Sequence, residues 1–147
     1  MPTASASVEL AATPAQALEA FWDLDTWRAV WDRIEQVGVS YADPCQQEFV
    51  MLVERDGRVE RVRTVRYRRR REIELFSPDP PPGMRRHTGA WVFDPIATGA
   101  RVTAVRHYEL LPNGRADGFH ERFGLRLQAI LDQFAVAFAA GPTAVTR

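Results

Sequence analysis

Apolar residues change their spacing twice along this chain. Val8 and Leu10 alternate with small or polar neighbours across residues 5–11, which predicts a first strand. Thr13-Pro14-Ala15-Gln16 then supplies an N-cap, a proline at the first helical position and a capping-box glutamine. A helix should start there, with Ala17, Leu18, Phe21 and Trp22 on its apolar face, and Asp25 can cap a second short helix carrying Trp27, Val30 and Trp31. From Ile34 the period becomes two: Val37, Val39 and Tyr41 alternate with polar residues, and Phe49 to Val53 is a nearly continuous apolar run. Asp56-Gly57 predicts a tight hairpin, because both residues tolerate positive φ. The return strand Arg58 to Arg68 is followed by strands over 70–76, 84–94 and 101–111, with a proline-rich loop from Pro78 to Gly83 and a turn at Gly99. The period then becomes helical. Phe119, Phe123, Leu127, Ile130, Phe134 and Phe138 recur every three or four residues, so residues 117–139 predict one helix roughly 35 Å long, stopped by Gly141-Pro142. Arg122, Arg126 and Asp132 fall elsewhere on its cylinder.

The expected fold is therefore α+β. A seven-stranded curved antiparallel sheet wraps the long C-terminal helix, two short helices follow the first strand, and an internal cavity lies between sheet and helix. Residues 1–147 are expected to form one domain, with about 141–147 as a loose tail.

Composition narrows the chemistry. Hydrophobic residues are 46% and charged residues 26%, which separates the chain from disordered polymers. The formal charge is zero and every basic residue is arginine, a balance that argues against a nucleic-acid binder. No apolar run reaches the roughly 20 residues of a membrane span and no signal sequence opens the chain, so a cytoplasmic location is expected. Cys45 is the only cysteine, so an intramolecular disulfide and a cysteine-based metal cluster are excluded. In the turn-like Asp43-Pro44-Cys45 it reads as a half-buried thiol rather than a nucleophile. His107 and Glu109 share a face and His120-Glu121 follows, but the spacing matches no strong metal pattern; no metal and no organic cofactor are expected. A glycine-rich phosphate loop and a serine nucleophile elbow are also missing.

The order of elements, together with Ala12-Thr13-Pro14-Ala15-Gln16, Phe21-Trp22-Asp23, Trp27, the tract from His87 to Pro95 and Val102 to Tyr108, resembles the helix-grip START-like superfamily. Within it the chain is most similar to bacterial polyketide aromatase/cyclases. The resemblance implies an enzyme that folds a carrier-bound poly-β-ketone and promotes aldol ring closure and dehydration, with an acyl carrier protein as a possible partner. It also implies a catalytic arginine on the strand after the central hairpin, which falls on Arg66, a neighbouring hydroxyl at Thr64, and aromatic pocket residues at Trp27 and Trp91. A pocket tyrosine of some relatives is Ile34 here.

Strand alternation adds candidates. If Trp91 faces the cavity, so do His87, Gly89 and Phe93; on the last strand the apolar parity carries Arg106 and Tyr108 inward. The two parities of residues 58–68 cannot be separated on composition. An inward Arg106 needs a carboxylate, a line of waters or a ligand oxygen. A guanidinium suits a poly-β-ketone because it holds two oxygens and stabilises a developing enolate. His87 could move the proton, with Tyr108 or Thr64 orienting a hydroxyl, while Trp27, Trp31, Trp91 and Phe93 wall the pocket. The competing assignments are structural ion pairs for Arg66 and Arg106, core packing for Trp22, a polar liner for His87 and solvent exposure for His107. The competing functions are a non-catalytic carrier of a hydrophobic aromatic small molecule and an interaction module whose cavity its own side chains fill. A cavity with no room for a bicyclic ligand would end both small-molecule readings and leave the last. The arginines around 66–71 read either as a solvated strand pair facing Glu72 and Glu74 or as the surface that docks the acyl carrier protein.

Overall fold

The computed structural model describes residues 2–112 and 116–139; the expected stop at Gly141-Pro142 and the tail lie outside the described residues. The chain runs β1 (Thr3–Leu10), α1 (Pro14–Trp22), α2 (Leu24–Val30), β2 (Ile34–Ala42), β3 (Gln46–Arg55), β4 (Arg58–Arg68), β5 (Glu72–Phe76), β6 (Met84–Ile96), β7 (Gly99–Leu110) and α3 (Ala116–Ala139). All neighbouring strands pair antiparallel in one sheet of order β1-β7-β6-β5-β4-β3-β2. The first two strands thus stand at opposite edges, and α1 and α2 carry the chain between them.

Local chemistry sets most boundaries. The Thr13 side chain accepts from the Gln16 amide while the Gln16 side chain accepts from the Thr13 amide, completing the capping box, and Pro14 occupies the first turn of α1. The cap of α2 is Asp23 and not Asp25: Asp23 accepts from the Asp25 amide at 3.2 Å and from the Thr26 hydroxyl at 2.9 Å. Only Asp23 separates the two helices, so it ends α1 and begins α2. Asp56 and Gly57 both have positive φ, 53° and 76°, as the tight β3–β4 hairpin requires. At Gly99 φ is 148° and a Cβ would stand 2.1 Å from the Leu10 carbonyl oxygen, so glycine alone fits the β6–β7 turn. Cys45 is exposed rather than half-buried, because its turn projects beyond the sheet, where Asp43 accepts from the Cys45 and Gln46 amides.

Register resolves the parity of β4. Thr64 lies opposite the buried Phe49 and Val62 opposite the buried Met51, so the even-numbered residues face α3. The helix lays Phe119, Phe123, Leu127, Ile130, Leu131 and Phe134 on the sheet. Gln128 ties it to the edge by donating to the Ser7 carbonyl at 3.0 Å. Phe134 is fully buried and stacks on Phe21 at 4.0 Å, joining α3 to α1. Among the described residues no helix is long and apolar enough to cross a membrane.

Phe134→Ala removes the ring that couples both helices and should lower unfolding free energy by about 3–5 kcal/mol, measured by urea titration.

Candidate functional site

Between the concave face of the sheet and α3 lies a slot of about 110 Å³. Trp27, Trp31, Phe49, Trp91 and Phe123 form its aromatic walls. The sequence-predicted residues Trp27, Trp31, Thr64, Arg66, His87, Trp91 and Arg106 all line it. Phe93 and Tyr108 face the same side of the sheet but do not. Phe93 is fully buried against Phe21 at 5.4 Å. The Tyr108 hydroxyl lies 2.6 Å from His120 Nδ1, beneath the start of α3, with burial holding its pKa above the usual phenol value. His107 is exposed and meets the Thr3 hydroxyl at 3.0 Å.

The two interior arginines are held differently. Arg66, 2% exposed, donates from Nη1 to the Phe21 carbonyl at 2.7 Å, from Nη2 to the Trp22 carbonyl at 2.8 Å and to Gln47 Oε1, and from Nε to Gln47 Oε1 at 3.1 Å. Phe21 and Trp22 end α1, so their carbonyls lack intrahelical donors and carry the negative end of the helix dipole. The guanidinium is also flanked by the Trp22 and Phe49 rings, each 5.1 Å away. Four of its five N–H groups are thereby committed to the fold.

Among the described residues Arg106 has no carboxylate partner. Its Nη1 donates to the Val105 carbonyl at 2.9 Å and the Ala90 carbonyl at 3.3 Å, and its guanidinium carbon sits 4.5 Å from the Trp91 ring centroid. The sequence called for a carboxylate, waters or a ligand oxygen; backbone carbonyls and an indole face supply the partners because Arg106 crosses its register neighbour Gly89. A Cβ on Gly89 would stand 2.7 Å from Arg106 Cδ, so this glycine leaves room for the side chain. Burial pushes both Arg66 and Arg106 down to about 9, and both remain cations at neutral pH.

His87 Nδ1 lies 2.8 Å from the hydroxyl of buried Ser77. Its Nε2 is buried without a hydrogen-bond partner. Burial first, then the Arg106 and Arg55 guanidiniums, push its pKa down to about 3, so the imidazole is neutral at physiological pH.

At one end the slot passes Trp31, Arg55 and Arg126 into a basin of about 330 Å³, lined also by Arg33, Glu54 and Asp56. The slot alone is smaller than the roughly 150 Å³ that holds a benzene ring, and so has no room for a bicyclic body. With the basin it reaches the roughly 300–1,000 Å³ of small-molecule sites. Sequence reasoning missed Arg55 and Arg126. Their signals were present: Arg55 continues the inward parity of Phe49, Met51 and Val53, and Arg126 follows Phe123 by three residues. Among the described residues no three His, Cys, Asp or Glu side chains gather as a metal site would require.

A sheet closed around a C-terminal helix, with a lined slot between them, is the helix-grip architecture of START-like proteins that the sequence resembles. The chain belongs to the polyketide cyclase/dehydrase and lipid transport family, whose profile matches residues 1–139. Solved structures share the fold. The di-domain aromatase/cyclase StfQ of the steffimycin biosynthetic pathway is 20% identical over 94% of this chain and 50% of its own, with a TM-score of 0.80. The Zhui aromatase/cyclase from Streptomyces sp. R1128 is 15% identical over 92% of this chain and 90% of its own, at 0.76. A START superfamily protein from Mycobacterium smegmatis is 12% identical over 94% and 97%, at 0.80. No curated protein matches the chain in sequence.

The two arginines should separate by stability. Arg66→Met strips donors from Gln47 and the end of α1 and should cost roughly 2–4 kcal/mol in urea titration; Arg106→Met removes a buried charge without a counterion and should stay within about 1 kcal/mol of wild type. His87 gives a pH signature. Between about pH 6.5 and 3 the unfolded chain binds a proton at this residue that the native state refuses, so stability falls as pH falls through that window. About 2 kcal/mol should be lost between pH 7.5 and 5, and His87→Gln should flatten that part of the profile.

Proposed function

We propose that the protein binds a carbonyl-rich, polyketide-like chain across the slot and the adjoining basin and promotes its aldol cyclisation and dehydration. One observation carries this reading: four arginines and a histidine line an otherwise aromatic and aliphatic cavity, and no carboxylate does. Such a lining offers donors to ligand oxygens and planar faces to an aromatic ring.

In this reading Arg106 is the main electrophilic residue and His87 the proton carrier. With Nδ1–H donated to Ser77, the open Nε2 takes a proton from the methylene between two carbonyls. The electron pair moves onto the enolate oxygen, which Arg106 holds. The resulting anion raises the basicity of the adjacent imidazole, offsetting the depression that burial imposes. The enolate carbon attacks a second carbonyl, the new alkoxide recovers the proton, and loss of water completes the double bond. Thr64 supplies a hydroxyl, and Trp27, Trp31 and Trp91 flank the part of the chain that enters the slot. Arg66 contributes its position and its last free N–H, because its other donors bind α1 and Gln47. Tyr108 acts through His120 and the start of α3, and Phe93 supports the Trp91 wall through Phe21.

Delivery by an acyl carrier protein belongs beside the basin in this reading. Arg69 pairs with Glu74 at 2.6 Å, Arg68 with Glu19, and Arg61 and Arg63 lie 3.8 and 3.7 Å from Asp79. Moreover, the β4–β5 turn that holds Arg70 and Arg71 is separated from the hairpin at the basin by the whole of β4, roughly 33 Å along the strand. The second reading, a carrier of hydrophobic small molecules, is supported by the lipid-transport part of the family description.

A poly-β-ketone formed on its carrier by a polyketide synthase tests the proposal. Wild type should shift the spontaneous mixture toward one cyclised, dehydrated product, and Arg106→Met should lower that rate by roughly 10²–10³-fold. Identical product spectra with and without wild-type protein would leave the carrier reading.

A further inference from the structure

Inside the slot Arg66, His87 and Arg106 stand among Trp27, Trp91, Leu127 and Ile130, and two further guanidiniums, Arg55 and Arg126, stand at the boundary with the basin. These two guanidiniums repel each other: Arg55 is pushed below its ordinary value by burial and then by Arg126. Two carboxylates act on Arg55, Glu60 and then Asp56. Glu60 accepts from Arg55 Nη1 at 3.0 Å, while Arg55 Nε is buried and has no hydrogen-bond partner. The nearby Glu54 is engaged by Arg33 at 2.7 Å, and Arg126 makes no ion pair with any described residue. Two neighbouring cations, of which only Arg55 is ion-paired, and an unfilled donor below the surface are costly unless an anion completes the set.

We propose that this boundary is a carboxylate-binding subsite, and that the ligand of the slot is an amphipathic acid whose carboxylate bridges Arg55 and Arg126 while its apolar body lies against Trp27, Trp31 and Trp91. The inference rests on the reading of the slot as a small-molecule cavity, and names the ligand class for the carrier reading, because a chain tethered to an acyl carrier as a thioester has no free carboxylate at that end. A carboxylate suits the place because its two oxygens can divide between Arg55 Nε–H and the Arg126 fork. It is also small enough to reach a donor that lies beneath the surface, where a phosphate on a longer arm would remain in the basin. The narrow slot beyond it selects a slim chain, with any ring extending into the basin.

Calorimetric titration of the full chain with hexanoate, hexan-1-ol and hexyl phosphate tests this. The acid should bind at least about tenfold more tightly than the alcohol, Arg126→Gln should abolish that preference without changing affinity for the alcohol, and Arg126→Lys should restore part of it. Circular dichroism identical to wild type verifies that the variants fold. Equal affinity for acid and alcohol, or an Arg126→Gln loss shared by both, would overturn the carboxylate subsite while the slot stands as a ligand cavity. Tighter binding of the phosphate than of the acid would overturn it in favour of a phosphate site. Failure of all three to bind wild type would overturn both the subsite and the small-molecule reading.

Discussion

The end of α1 points into the protein, and its last carbonyls need donors there. Arg66 supplies them from across the sheet, joined by the Trp27 indole, which donates to the Phe21 carbonyl at 2.6 Å, and by the Gln47 amide, which donates to the Trp22 carbonyl at 3.0 Å. This junction fixes the bend between α1 and α2. With the bend fixed, Trp27 stands edge-on to Phe21 and Trp91 and becomes a wall of the slot. Phe21 in turn stacks on Phe134, so the position of α3 follows from the same junction. A charge buried this deeply is retained because a neutral side chain lacks the planar fork that meets three acceptors at once.

That junction divides labour between two arginines that look alike in sequence. Arg66 is bound on nearly every donor, whereas Arg106 rests on an indole face and two backbone carbonyls with the rest of its guanidinium turned to the slot. Charge without a counterion, next to a neutral histidine with one open nitrogen, is what an oxygen-rich ligand can exploit. The basin beyond contributes volume and polarity that the slot lacks. Charge therefore stands at two places along the slot: Arg66 and Arg106 are buried inside it, and Arg55 and Arg126 mark its boundary with the basin.

Features governed by neighbouring residues were legible in the sequence. The capping box at Thr13 and Gln16, the Asp56-Gly57 turn and the stripe of α3 each depend on chemistry within a few positions. The cap of α2 was misplaced because Asp23 and Asp25 are two residues apart and both suit the role; what decides between them is that Asp23 already ends α1. The face of β4 was not legible, since arginine and valine occur on both parities, and only its pairing with Phe49 and Met51 selects one. Alternation correctly turned Phe93 and Tyr108 inward but cannot report depth along a strand. One is covered by α1, the other by the start of α3. Arg55 and Arg126 escaped because a charge beside a hairpin or on a helix reads as solvated until a third element approaches it.

The account rests on Arg106 and His87 meeting a ligand while Arg66 holds the frame. Side-chain nitrogen NMR of the ¹⁵N-labelled protein during titration with 2,4-dihydroxyacetophenone measures this directly. The Arg106 Nε and His87 imidazole resonances should shift together and saturate while Arg66 Nε stays fixed; a saturable shift at Arg66 with Arg106 and His87 unmoved would contradict the account.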